Sequence, residues 1–211
     1  MATAKKQKAE QPILPFESQA AFEAWLEEQG TGSPGVWLKI AKKGTGTPTV
    51  TYDEAVESAL CHGWIDGQKK GFDDAWWLQK FTPRGARSIW SKINRDKVER
   101  LTKEGRMRPA GIAAVEAAKA DGRWDAAYES QSAATVPDDL QAALDASPRA
   151  KAFFETLKGA NRYAILFRVH TAKKPETRAK RIADFVAMLE RGETVHLMGA
   201  AAEKGAKKKP S

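Results

Sequence analysis

Apolar and polar residues alternate with period two only within the first 85 residues, and from Ile89 onward they repeat with the period of a helix. That switch restricts the fold to a small sheet with helices packed on it, followed by a helical half. In "VWLKIAKK", Val36, Leu38 and Ile40 fall on one face of a strand and Trp37 and Lys39 on the other. "GWIDGQ" and "AWWLQKF" predict two more strands joined across the polar turn "KKGFDD". On the second of these, Trp77, Gln79 and Phe81 share one face and Trp76, Leu78 and Lys80 share the other.

The helices carry their own punctuation. Ser18 caps a helix with Phe22, Trp25 and Leu26 on one face and Gly30 as its stop. "TYDE" is a capping box, with Thr51 and Glu54 opening a helix whose inner face is expected to be Tyr52, Val56, Ala59 and Leu60. A helix from about Ile89 aligns Trp90, Ile93, Lys97, Val98 and Leu101. Pro109 suits a first helical position. "ESQSAATVPDD" reads as a linker, and helices follow in "SPRAKAFFETL", "NRYAILFRVH" and "PETRAKRIADFVAMLERG". In the second of these, Tyr163, Leu166, Phe167 and His170 share a stripe. The fold class is therefore α+β and mainly helical, with a small antiparallel sheet within residues 12–85 and a C-terminal helical region. Four segments are expected: a disordered basic tail over 1–11, an α+β domain over 12–130, a helical domain over 131–198, and a disordered Lys-rich tail over 199–211.

Net charge is +8, and +5 of it lies in the two tails. The body is polarised. Ten basic and three acidic residues fall between Gln79 and Arg108, and seven basic and one acidic between Asn161 and Arg181. Such stripes point either to an anionic partner or to solvated helix faces. No run of 18 apolar residues is present, so no membrane span is expected. The start, "MATAKKQKAEQPILPF", lacks the apolar core of a secretory signal. One cysteine permits no internal disulfide, so the chain is expected in the cytoplasm.

The candidate chemistry clusters between Cys61 and Asn94. Arg84 and Arg87 precede a helix start, where free N–H groups and the macrodipole favour anions. Trp90, expected in the first helical turn, and Trp76 or Trp77 would supply a stacking plane. Trp64 and Asp66 share a strand face, with Gln68 next in line. Asp66 reads either as a buried acid or as the ion-pair partner of Arg84 or Arg87. The ligand-binding candidates are therefore Arg84, Arg87, Trp90, Trp64, Asp66 and Trp77. Adjacent Cys61 and His62 point about 100° apart on a helix, so Cys61 is read as packed against the sheet, not as a nucleophile. His62, His170 and His196 lack metal-ligand spacing, so no metal or other cofactor is expected, and no catalytic residue is assigned. In "HTAKKPETRAKR", Glu176 suits a helix start and Arg178 can pair across the helical half.

At "ALCHGWIDGQ", "FTPRGARSIWSKIN", "GRMRPAGIAAVEAAKADGRW" and "ANRYAILFRVHTAKKPETRAKRIADFV" the chain resembles the YdeI/OmpD-associated family, the bacteriocin-protection proteins, over roughly residues 15–195. The resemblance implies protection against bacteriocins or cationic antimicrobial peptides and no particular reaction. The expected function is thus stress protection through an anionic small molecule or protein partner held on a Trp/Arg face. Two alternatives stay open: an enzyme on a small anionic substrate using Asp66 and His62, or non-specific nucleic-acid binding through stripe and tails. The oligomeric state is left open.

Overall fold

The structure, a computed structural model, describes residues 10–196. Within it the chain forms two compact units, one ending at Ala127 and one beginning at Tyr128. The expected tails lie outside the described residues, save for Glu10 and Gln11, and for the last residues of 131–198 the same holds.

The first unit is built on a four-stranded sheet. Its strands are β1 (Ile13–Pro15), β2 (Val36–Ala41), β3 (Trp64–Gly71) and β4 (Trp76–Pro83), in the order β1-β2-β4-β3. β4 pairs antiparallel with both β2 and β3, as the alternation led one to expect. β1 pairs parallel with β2, so the sheet is mixed and not purely antiparallel. A three-residue strand ending in proline has no alternation to read, and proline suits it to the edge that it occupies.

Helices α1 (Gln19–Gln29) and α2 (Tyr52–Cys61) form where their caps place them. The Ser18 hydroxyl accepts from the Ala21 N–H, and both halves of the Thr51–Glu54 capping box are present. Phe22 and Leu26 of α1 and Val56, Ala59 and Leu60 of α2 join Val36, Leu38, Ile40 and Phe81 in one core. Tyr52 departs from expectation: it is 40% exposed and turns its hydroxyl toward the sheet edge. Helices α3 (Lys92–Lys103) and α4 (Pro109–Ala120) complete the unit against α2. α3 begins later than expected because Ser91 is its cap, and Ile93, thought to face inward, is 50% exposed.

The junction of α2 and α4 depends on two glycines. The backbone at Gly63 has φ +74°, and a Cβ there would sit 2.7 Å from the Ala110 carbonyl oxygen. A Cβ on Gly111 would sit 2.2 Å from the Cys61 carbonyl oxygen. The same Cys61 oxygen accepts from the Arg108 N–H at 3.0 Å, so the start of α4 is bonded to the end of α2.

The second unit contains α5 (Asp138–Asp145), α6 (Pro148–Thr156), α7 (Gly159–His170) and α8 (Pro175–Glu190). α5 begins inside the stretch read as a linker. Leu140, Leu144, Phe154, Ile165, Leu166, Val169, Ile182 and Leu189 are its buried core. The buried side of α7 is therefore rotated from the expected stripe, leaving His170 exposed and Tyr163 and Phe167 half-buried. Arg178 does pair across this unit. Its guanidinium grips both oxygens of Asp139 at 2.6 and 2.9 Å and donates to the Val169 carbonyl at 2.7 Å.

Replacing Gly111 with alanine should cost about 1–3 kcal/mol, the usual range for forced overpacking. Gly85→Ala, where an added Cβ meets nothing within 4 Å, should stay within about 0.5 kcal/mol of wild type. Urea denaturation of the two variants checks this.

Candidate anion-binding face

The six expected site residues do not converge. Trp64 is wholly buried and meets Trp25 edge to face at 5.7 Å. Trp90 is 1% exposed, immediately before the Ser91 cap and not in the first turn of α3. Its ring lies between the Arg84 guanidinium, 3.4 Å from the ring centroid, and Trp124 at 4.9 Å. An indole buried to this depth contributes about 4–6 kcal/mol as an upper figure, which marks both residues as core.

Arg84 turns inward over Trp90 and donates from Nη1 to the Ile89 carbonyl at 3.2 Å, while Arg87 is exposed. The Ser91 hydroxyl already accepts from the Asn94 N–H at 3.1 Å, filling the place that an anion would take at the start of α3. Arg123 ties the same loop down through the Ser88 carbonyl at 2.8 Å. Asp66 pairs with neither arginine; it accepts from the Tyr52 hydroxyl at 2.7 Å. Tyr52 in turn packs on half-buried Trp77, over which Lys69 lies at 4.1 Å. A β-bulge between Asp66 and Lys69 interrupts the alternation, so Gln68 does not continue the Trp64–Asp66 row.

Cys61 and His62 are both buried. His62 Nδ1 is 2.8 Å from the Ser58 carbonyl oxygen. Burial pushes the Cys61 thiol up to about 11, away from thiolate chemistry at neutral pH. Among the described residues no group of three or more His, Cys, Asp or Glu side chains could hold a metal ion.

Much of the basic stretch after Gln79 is neutralised within the unit. Glu57 receives Arg100, Arg106 at 3.0 Å and Lys97 at 3.6 Å. Arg106 also reaches Glu23 at 3.2 Å, and Lys97 reaches Asp53 at 3.1 Å. Burial alone would raise the Glu57 pKa, but the Arg106 hydrogen bond and the charges of Arg100 and Lys97 outweigh it and hold the carboxyl below its ordinary value.

The sheet's other face is different. Pairing of Trp37 with Lys80, Lys39 with Leu78, and Ala41 with Trp76 puts the outer rows of β2 and β4 on one surface. Lys70, opposite Leu78, adds β3 to it, and Ile13 and Pro15 extend it along β1. Lys39 Nζ stands 4.6 Å from the ring centres of both Phe72 and Trp76. Lys70 lies 4.1 Å and Lys80 5.7 Å from that of Trp37. Three ammonium groups thus stand among three rings, over a floor made by Leu78, which is 1% exposed. No strand position on this surface carries a carboxylate. Asp73, in the β3–β4 turn, accepts from the Ala75 and Trp76 N–H groups at 2.8 Å each. The arrangement suits capture of an anion: cations held at the surface, rings beside them, and no ion pair to these lysines among the described residues.

The sequence contains both outer rows, Trp37 with Lys39 and Trp76 with Lys80. What it lacks is the strand order that fuses them. Arginines are the better anion forks, but the fold turns Arg84 inward over Trp90.

Two predictions come from these groups. Cys61 should label slowly with thiol reagents at neutral pH, with a titration midpoint well above the roughly 8.5 of a free thiol. Glu57, whose folded pKa is depressed, stabilises the fold above its unfolded pKa, and that contribution is lost as pH falls through the folded value. Glu57→Gln should therefore destabilise the protein by about 1.5–3 kcal/mol at pH 7 and by much less at about pH 3, measured by urea titration at both values.

Residues 14–114 match a domain of unknown function (DUF8412), which takes in the whole Lys/Trp surface. No curated protein and no solved structure matches the chain. The expected resemblance had spanned both units, but the family's profile is matched in the second unit alone. Residues 133–192, which hold helices α5 to α8, match the family described as Bacteriocin-protection, YdeI or OmpD-Associated.

Proposed function

We propose that the chain is a non-enzymatic stress-protection protein of the bacteriocin-protection kind, which holds an anionic partner on the Lys/Trp face of its sheet. The observation that carries this reading is the contrast within one unit. Lys97 and Arg100 of α3 and Arg106 of the following loop meet Glu57, Glu23 and Asp53. Lys39, Lys70 and Lys80 meet aromatic rings. The protective role is supported by the family matched over residues 133–192.

The charge of the face bears on how protection would work. A lysine surface repels a cationic peptide, so the chain acts through an anionic partner and does not sequester the peptide itself. A cytoplasmic location is the reading's natural setting, with one buried thiol and no helix among the described residues long and apolar enough to cross a membrane. The enzyme alternative draws no support from the contacts of its two residues: Asp66 accepts from the Tyr52 hydroxyl, and buried His62 has Nδ1 against the Ser58 carbonyl oxygen.

Inorganic polyphosphate titrated calorimetrically into wild type and into the Lys39→Ala, Lys70→Ala, Lys80→Ala triple variant tests the face. At about 50 mM salt the variant should bind at least tenfold more weakly, since each charged hydrogen bond to phosphate is worth about 1.5–3 kcal/mol. Equal affinities in a folded variant would remove the face from the account.

A further inference from the structure

We infer that the Lys/Trp face binds single-stranded nucleic acid, with bases stacked on Trp37 and Trp76 and phosphates held by Lys39, Lys70 and Lys80. The inference rests on the anion-face reading and adds to it the identity of the ligand. Its basis is the order of groups on the surface. Trp76 stands opposite Ala41, four residues along β2 from Trp37 and so about 13 Å away in the strand direction. Lys39 lies between the two, 4.6 Å from the Trp76 ring centre. The sequence of groups along the strand is ring, cation, ring. A ligand that uses all three must itself alternate flat π-faces with negative charge, as a single nucleic-acid strand does.

Other anions fit less of the surface. A small carboxylate or free phosphate engages the ammonium groups and leaves the rings idle. A lipid surface calls for a continuous apolar rim, and here the rings are separated by lysines. A duplex keeps its bases inside the stack, where a sheet face cannot reach their flat sides. The rings also stand on strands, over buried Leu78, so the platform is held by hydrogen-bonded backbone and not by a loop.

The lysines over the rings do not block a base. An exposed cation–π pair is worth a factor of about two to five in an equilibrium. A base stacked on an aromatic side chain is worth a factor of about five to a hundred and fifty. A base therefore displaces the ammonium, which remains tethered by its four-carbon stem within reach of the adjoining phosphate.

The test uses the full chain and a fluorescein-labelled oligothymidine of about 15 nucleotides. A duplex of equal length and inorganic polyphosphate serve as the base-shielded and base-free anions. Binding is read by anisotropy and by quenching of indole fluorescence at several salt concentrations. Trp37→Leu and Trp76→Leu keep apolar cover without a π-face, and Trp37→Phe and Trp76→Phe keep a smaller ring. The expected result is that the oligonucleotide binds at least tenfold more tightly than either control and quenches the indoles. Each Leu variant then loses about fivefold or more with no change in salt slope, and each Phe variant keeps most of the affinity. Lys70→Ala and Lys80→Ala each lower the slope by about 0.7. If oligonucleotide and polyphosphate bind alike and the Leu variants match wild type, the nucleic-acid inference is overturned while the anion face stands, provided that the lysine variants weaken both ligands. If the lysine variants weaken neither, both readings fall.

Discussion

The antiparallel pairing of β2 with β4 is the constraint on which the first unit depends. Six residue pairs, from Val36 with Phe81 to Ala41 with Trp76, fix both faces of the sheet at once. Every second pair places Val36, Leu38, Ile40 and Phe81 under α1 and α2, where their burial drives the unit to fold. The intervening pairs put Trp37 beside Lys80 and Lys39 beside Leu78 on the other face. A slip of one residue would bury lysines and expose the core, so the hydrophobic demand of one face sets the register of the other. The cationic surface is in this sense a by-product of core packing, held in place by contacts that it does not itself make.

The same unit separates its basic residues into two populations. Lys97, Arg100 and Arg106, in α3 and the loop after it, meet Glu57, Glu23, Asp53 and Glu104, and they attach that helix to α1 and α2. Those of the sheet have rings for neighbours. Net charge alone cannot make that distinction. The stretch from Gln79 to Arg108 holds ten basic residues against three acidic, yet Arg84, Arg95, Arg100 and Arg106 all have intramolecular work. The charge left beside aromatic rings on the sheet's outer face is three lysines that composition would not single out.

What was legible in the sequence was local. Ser18 and Thr51 with Glu54 each announced a helix start through hydrogen bonds made within four residues, Pro109 did so through its fixed φ, and each stands where it was expected. The alternation in β2 and β4 was equally clear. Three things were not. β1 is three residues long, and its parallel partner is more than twenty residues away. α7 is apolar on several sides, with Tyr163, Ile165, Leu166, Phe167 and Val169 all available, so only packing selects Ile165, Leu166 and Val169. α5 begins with Asp138 and Asp139, residues equally at home in a loop and in the first turn of a helix. The site failed for the same reason as β1. Arg84 and Trp90 are six residues apart and looked like a binding pair, and they are indeed in contact, but with half-buried Arg84 laid over a buried Trp90. The proposed face joins Trp37, Lys39, Lys70, Trp76 and Lys80 through strand order.

Seven indoles distributed between core and surface make the account open to direct inspection. In a ¹⁵N-labelled sample each tryptophan gives its own Nε1–H signal, and titration with polyphosphate reports which of them lie near the bound anion. The account predicts that the Trp37 and Trp76 signals move in a saturable way while those of Trp64, Trp90 and Trp124 stay in place. Movement centred on Trp90 and its neighbours, with Trp37 and Trp76 unaffected, would contradict the assignment of the Lys/Trp face and return the site to the loop before α3.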